Sequence, residues 1–139
     1  MYHFNEKRFI KVIDDALENV SEIEKIVDVL FEKGFKNLFL IGVGGTYSHF
    51  LPIQFISGQL SELPVHTVQA AEFVLQGNKQ FSADSLCVFC SRSGDTREIV
   101  DAIQYCNNAG ATTLAFVCHA DTPVCLLYTS DAADDMFRV

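Results

Sequence analysis

The chain has 139 residues, about one domain's length, with 49% hydrophobic and 20% charged side chains and a net charge of −8 at pH 7. That balance excludes a disordered, collagen-like or coiled-coil chain. The lack of a basic stripe excludes nucleic acid as a partner. No apolar run approaches the roughly 18 residues of a membrane span, and Met1-Tyr2-His3-Phe4-Asn5-Glu6 lacks a basic-then-apolar leader, so the expectation is a cytoplasmic protein without membrane contact.

Residues 6–33 carry apolar side chains at helical spacing, first Phe9, Ile13, Ala16, Leu17 and Val20, then Ile23, Ile26, Val27 and Leu30. Ser21-Glu22-Ile23-Glu24 has capping-box spacing, so the segment reads as one helix or as two that break near Val20, and Gly34 is a suitable stop. Leu38-Phe39-Leu40-Ile41 is wholly apolar, as a strand covered on both faces must be, and Gly42-Val43-Gly44-Gly45-Thr46 follows directly. A helix is predicted over 47–60 with Pro52 near its first turns, a strand over 65–68, and a short helix over 70–75 closed by Gly77. Residues 85–90 form the clearest second buried strand, ending in Ser91-Arg92-Ser93-Gly94-Asp95-Thr96. An amphipathic helix over 96–108 and a strand over 113–117 complete the pattern.

Alternating strands and helices with short Gly-rich turns predict an α/β fold, a three-layer αβα sandwich on a parallel sheet of flavodoxin-like or Rossmann-like type, preceded by an N-terminal helix or helix pair. The expected division is a helical segment over 1–34, the sheet domain over 35–124 and a tail over 125–139. The tail has no apolar strand run with which to finish the sheet. It resembles a translated adapter fragment and is expected to be foreign to the domain.

Five cysteines, an odd number set mostly in apolar segments, are expected to be buried reduced thiols. Cys87 and Cys90 have CxxC spacing, but within a strand positions three apart face opposite sides and cannot share a metal.

Two loops carry the chemistry, each joining a buried strand's C-terminal end to a helix. There unpaired N–H groups and a partial positive charge favour an anion, and ligands of open parallel sheets bind at that end. Gly42-Val43-Gly44-Gly45-Thr46 is neither GxGxxG nor a P-loop, and alone it fits a generic turn as well as an anion site. The second loop places Ser91, Ser93 and Thr96 around Gly94, more hydroxyls than a turn needs. These residues favour phosphate binding, with helix capping as the alternative.

The order of strand–GxGxT, Ala71-Glu72-Phe73, strand–SxSGxT–helix and Gly110-Ala111-Thr112-Thr113-Leu114-Ala115-Phe116 resembles the SIS (sugar isomerase) domain over residues 34–123. Within that family it most resembles the fructosamine-6-phosphate deglycases and, more distantly, the isomerase half of glutamine–fructose-6-phosphate aminotransferase. The resemblance implies a sugar-phosphate ligand held by Gly45, Thr46, Ser91, Arg92, Ser93 and Thr96, with Arg92 lending its backbone. It implies no metal or organic cofactor, and Glu72 takes no catalytic role from it. Family members of this type carry a second SIS domain that supplies the acid and base. This chain is therefore expected to bind substrate without transforming it, as part of a deglycase or isomerase acting on a fructosamine 6-phosphate or a related sugar 6-phosphate. A non-catalytic sugar-phosphate sensor and an aldose–ketose phosphate isomerase fragment are the alternatives. A homodimer is the expected assembly.

Overall fold

A computed structural model describes residues 4–119 and 121–127. The chain divides into two units, one ending at Lys33 and one starting at Gly34. The first holds α1, Glu6–Glu18, and α2, Val20–Lys33. The Asn5 side chain caps α1 by accepting the Arg8 N–H at 3.0 Å. The break falls at Asn19, beside Val20 as expected, where the Asn19 amide turns back to the Asp15 carbonyl at 3.0 Å and competes with the helical ladder. Every residue of α1 from Glu6 on is solvent-exposed, Phe9, Ile13 and Leu17 included.

The second unit runs β1 Asn37–Gly42, α3 Gly45–Leu60, β2 Val65–Gln69, α4 Ala70–Gln76, β3 Ser85–Ser91, α5 Arg97–Asn108, β4 Thr112–Val117 and α6 Pro123–Leu127. The strands form one parallel sheet in the order β2-β1-β3-β4. Pro52 lies inside α3 rather than at its start, and it is exposed. The missing N–H therefore leaves its unpaired carbonyl on the wet side of the helix.

Strand alternation sorts the sheet's side chains between two helical layers. Phe39, Ile41, Cys87 and Phe89 join Ala70 and Phe73 of α4, Ile99, Ala102, Ile103 and Cys106 of α5 and Val124 of α6 in one buried cluster. The Phe73 ring meets Phe39 at 5.3 Å and Tyr105 edge-on at 5.4 Å, tying α4 to both β1 and α5. Full burial of a Phe or Ile contributes about 1.5–3 kcal/mol, so this layer is a large source of the unit's stability. On the opposite face, Thr67 beside Leu40 donates its N–H to Gln54 Oε1 at 2.8 Å and its hydroxyl to the Phe50 carbonyl at 3.4 Å, which fastens α3 there. The three layers are thus α3, the sheet, and α4 with α5 and α6. The boundary expected at residue 125 falls inside α6, where Val124 and Cys125 are buried, and residues 128–139 lie outside those described.

Candidate functional site

The sheet order places a topological switch between β1 and β3. The connection from β1 through α3 leads outward to β2, and the connection from β3 through α5 leads outward to β4 on the other side. Between two connections that diverge from neighbouring strands a crevice opens at the strands' C-terminal ends. Both predicted loops border it.

The first loop turns within two residues of β1. A Cβ on Gly42 would stand 2.5 Å from the Tyr47 nitrogen, so only glycine lets the strand end approach α3 this closely. Gly44, at φ +56°, precedes the helix, and no side chain caps α3. The Thr46 hydroxyl accepts the Val43 N–H and donates to the Val43 carbonyl, both at 3.0 Å. Its one proton therefore shapes the turn, and the Thr46 N–H also donates to the Val43 carbonyl, at 3.3 Å, which leaves the Gly45 main-chain amide as the first-turn donor at this helix start.

The second loop is organised by Ser91, a buried residue at the end of β3. Its Oγ accepts the Gly94 N–H at 3.1 Å and lies 3.3 Å from the Thr96 Oγ1. Gly94 takes φ +69°, which reverses the chain into α5. Thr96 stands at the N-cap of α5 without capping it, since its hydroxyl faces Ser91 instead. The first helical bond of α5 is made by the Ile99 N–H to the Thr96 carbonyl, so the Arg97 and Glu98 amides precede the ladder. Arg92 and Ser93 are exposed on the crest of the loop. Of the six predicted residues, the structure joins Ser91 to Thr96 in one network and sets Gly45 and Thr46 at the neighbouring helix start.

Two uncapped helix N-termini and a hydroxyl pair thus border one crevice, an arrangement that attracts an anion through local dipoles although the chain as a whole is acidic. Glu72 is exposed in the first turn of α4, where a carboxylate complements the helix dipole. His49 is exposed on α3, His119 is exposed just after β4, and the His66 ring lies tilted against Phe39 with centroids 4.9 Å apart. His3 lies outside the described residues.

Cys87 and Cys90 point to opposite faces, the first into the core and the second half-buried beside the loop. The Cys106 thiol that hydrogen-bonds Cys87, and then burial, push the Cys87 thiol far above its ordinary value. Burial and the neighbouring Cys118 raise Cys90. Among the described residues no cluster of three His, Cys, Asp or Glu side chains could hold a metal.

Sequence reading gave Thr122 no role. Its side chain packs on Gly94, and its Oγ1 accepts the Cys125 N–H at 3.4 Å. The signal was Thr followed by Pro, an N-cap residue ahead of the residue best suited to a helix's first position.

Fold and site together define an α/β domain whose switch-point crevice is bordered by two helix N-termini. The SIS domain model matches residues 33–130, and the chain belongs to the SIS domain family. It is 34% identical over 79 residues to human glutamine–fructose-6-phosphate aminotransferase [isomerizing] 2, covering 57% of this chain and 11% of that protein. It is 26% identical over 104 residues to fructosamine deglycase FrlB of Bacillus subtilis, covering 74% of this chain and 32% of the relative. The crystal structure of tagatose-6-phosphate ketose/aldose isomerase from Escherichia coli superimposes with a TM-score of 0.70 at 16% identity, covering 93% of this chain and 36% of that one, which is a likeness of fold. The chain thus spans about a third or less of these relatives' length. Among the described residues no helix is long and apolar enough to cross a membrane.

Proposed function

We propose that the chain binds the phosphate of a sugar 6-phosphate in the crevice between β1 and β3, through Gly45, Thr46, Ser91, Arg92, Ser93 and Thr96. The observation that carries this reading is the Ser91–Thr96 hydroxyl pair set between two helix N-termini that no side chain caps. A phosphate dianion presents several acceptor oxygens, and main-chain amides with hydroxyls satisfy them without a lysine-rich cleft. The similarity to a fructosamine deglycase and to an isomerizing aminotransferase supports a ketose or amino-sugar 6-phosphate as the ligand, with a fructosamine 6-phosphate as the specific substrate proposed for the parent enzyme.

In this reading the chain holds the substrate, and the acid and base that move the proton between C1 and C2 belong to a second SIS domain. The partner proposed for the chain itself is a second copy. Helix α3 carries no Asp, Glu, Lys or Arg over its 16 residues and exposes Leu51, Phe55 and Leu60. Exposed apolar side chains gathered on one uncharged helix are the kind that an assembly buries.

Titration calorimetry with glucose 6-phosphate and fructose 6-phosphate tests the site against unphosphorylated glucose. Binding of the phosphorylated sugars alone, weakened in Ser93→Ala and Thr96→Ala, is the expected result. Equal affinity in those variants overturns the reading.

A further inference from the structure

We propose that Thr122, at the start of α6, is a positioning residue for the anion loop, acting with Val124 to fix the Gly94–Asp95 peptide so that the Asp95 N–H serves as a donor to the bound anion. The inference rests on the anion-site reading above and adds to it a residue from a different element.

Gly94 is pinned from both sides. Its N–H is held by Ser91 Oγ at 3.1 Å, and its carbonyl accepts the Val124 N–H at 3.0 Å. Among the described residues the peptide bonds are trans, and in a planar trans peptide the carbonyl and the following N–H point in opposite directions. Anchoring the Gly94 carbonyl on α6 therefore turns the Asp95 N–H away from α6. Val124 is the second residue of α6, so its N–H is one of the first-turn amides that a helix cannot satisfy internally, and here it is spent on the loop.

Thr122 makes that anchor possible in two ways. As the residue ahead of Pro123 it starts the helix, with its Oγ1 accepting the Cys125 N–H at 3.4 Å and its carbonyl accepting the Leu126 N–H at 3.0 Å. Its side chain also lies flat against Gly94. A Cβ there would meet the Thr122 Cβ at 2.6 Å and Cγ2 at 2.8 Å, so the methyl and hydroxyl seat the glycine at φ +69°. Thr122 is itself buried, and Val124 belongs to the core with Phe89 and Ile99. The clamp therefore moves with the rigid part of the domain and not with solvent-exposed chain.

The experiment compares Thr122→Ala, Thr122→Ser and Thr122→Val with Ile103→Val, a core change remote from the loop that lowers global stability. Amide hydrogen exchange at residues 91–96 is measured without ligand, and glucose 6-phosphate affinity is measured by calorimetry. Thr122→Ala is expected to speed exchange of the Gly94 amide and weaken binding, each by about tenfold. Thr122→Ser, which keeps the capping oxygen, stays near wild type, and Thr122→Val, which keeps only the shape, falls between. Ile103→Val moves neither readout. Loop exchange and affinity in Thr122→Ala that match Ile103→Val would overturn the assignment. A wild-type chain that binds no sugar phosphate would overturn the anion-site reading and the role given to the Asp95 amide, while the exchange arm still decides whether Thr122 holds the loop.

Discussion

The Ser91 hydroxyl accepts the Gly94 N–H at 3.1 Å while standing 3.3 Å from the Thr96 hydroxyl, so one buried oxygen joins the end of β3 to the start of α5. Ser91 and Ser93 are only two residues apart, yet they do different work. Ser91→Ala leaves the buried Gly94 amide without a partner and should cost about 1–3 kcal/mol of stability. Ser93→Ala changes an exposed side chain and should move stability by less than about 0.5 kcal/mol while still weakening sugar-phosphate binding. Urea denaturation beside calorimetric titration of both variants checks the contrast. Equal stability losses would remove Ser91 from its structural role.

Gly42 is the position at which the first loop tolerates no side chain. In Gly42→Ala the new methyl meets the Tyr47 nitrogen at 2.5 Å, and backbone on both sides has no flexible end to yield. The strand must part from α3, at a cost of about 1–3 kcal/mol, as overpacked sites show. Gly45→Ala meets nothing within 4 Å and should be mild by comparison. Thermal denaturation of the two variants gives the ordering.

Stability should fall in alkali. The Cys87 thiol is raised in the folded state, so below its ordinary value of 9.0 both folded and unfolded chains keep the proton. Above it the unfolded chain ionises while the folded chain does not, which favours unfolding by about 1.4 kcal/mol for each pH unit. Urea midpoints from pH 8 to pH 10 should decline, and Cys87→Ala should flatten the decline. An identical slope in that variant would place its origin elsewhere.

Phe55 is 71% exposed on α3, with Leu51 one turn away at 43%. If α3 pairs with a second copy, sedimentation should show a dimer that Phe55→Glu converts to monomer, with unchanged circular dichroism because the side chain carries no core contact. A monomeric wild type, or a dimer indifferent to the change, refutes the pairing.

Much of the molecule was legible in the sequence. The apolar run at 38–41 and the segment at 85–90 could only be covered strands, and the turn after each had to present helix amides, because those consequences follow from period and composition over a few residues. The SxSGxT segment likewise placed Ser91, Ser93 and Thr96 at one helix start. The N-terminal helix pair was equally visible from its spacing, yet the burial its apolar face suggests is absent from α1, since periodicity says which side is apolar and not what covers it.

What only the tertiary structure decided lies in contacts between residues far apart in the chain. The order β2-β1-β3-β4, which creates the crevice, depends on strand pairing that no local pattern encodes. The assignment of the Thr46 proton to Val43 depends on the geometry of one turn, and the seating of Gly94 on Thr122 depends on α6 folding back against α5 and β4. Sequence determined which residues could hold an anion, because hydroxyls, glycines and helix starts are local. Packing determined which of their hydrogen-bonding groups remain free to do so, because each partner is chosen by the fold.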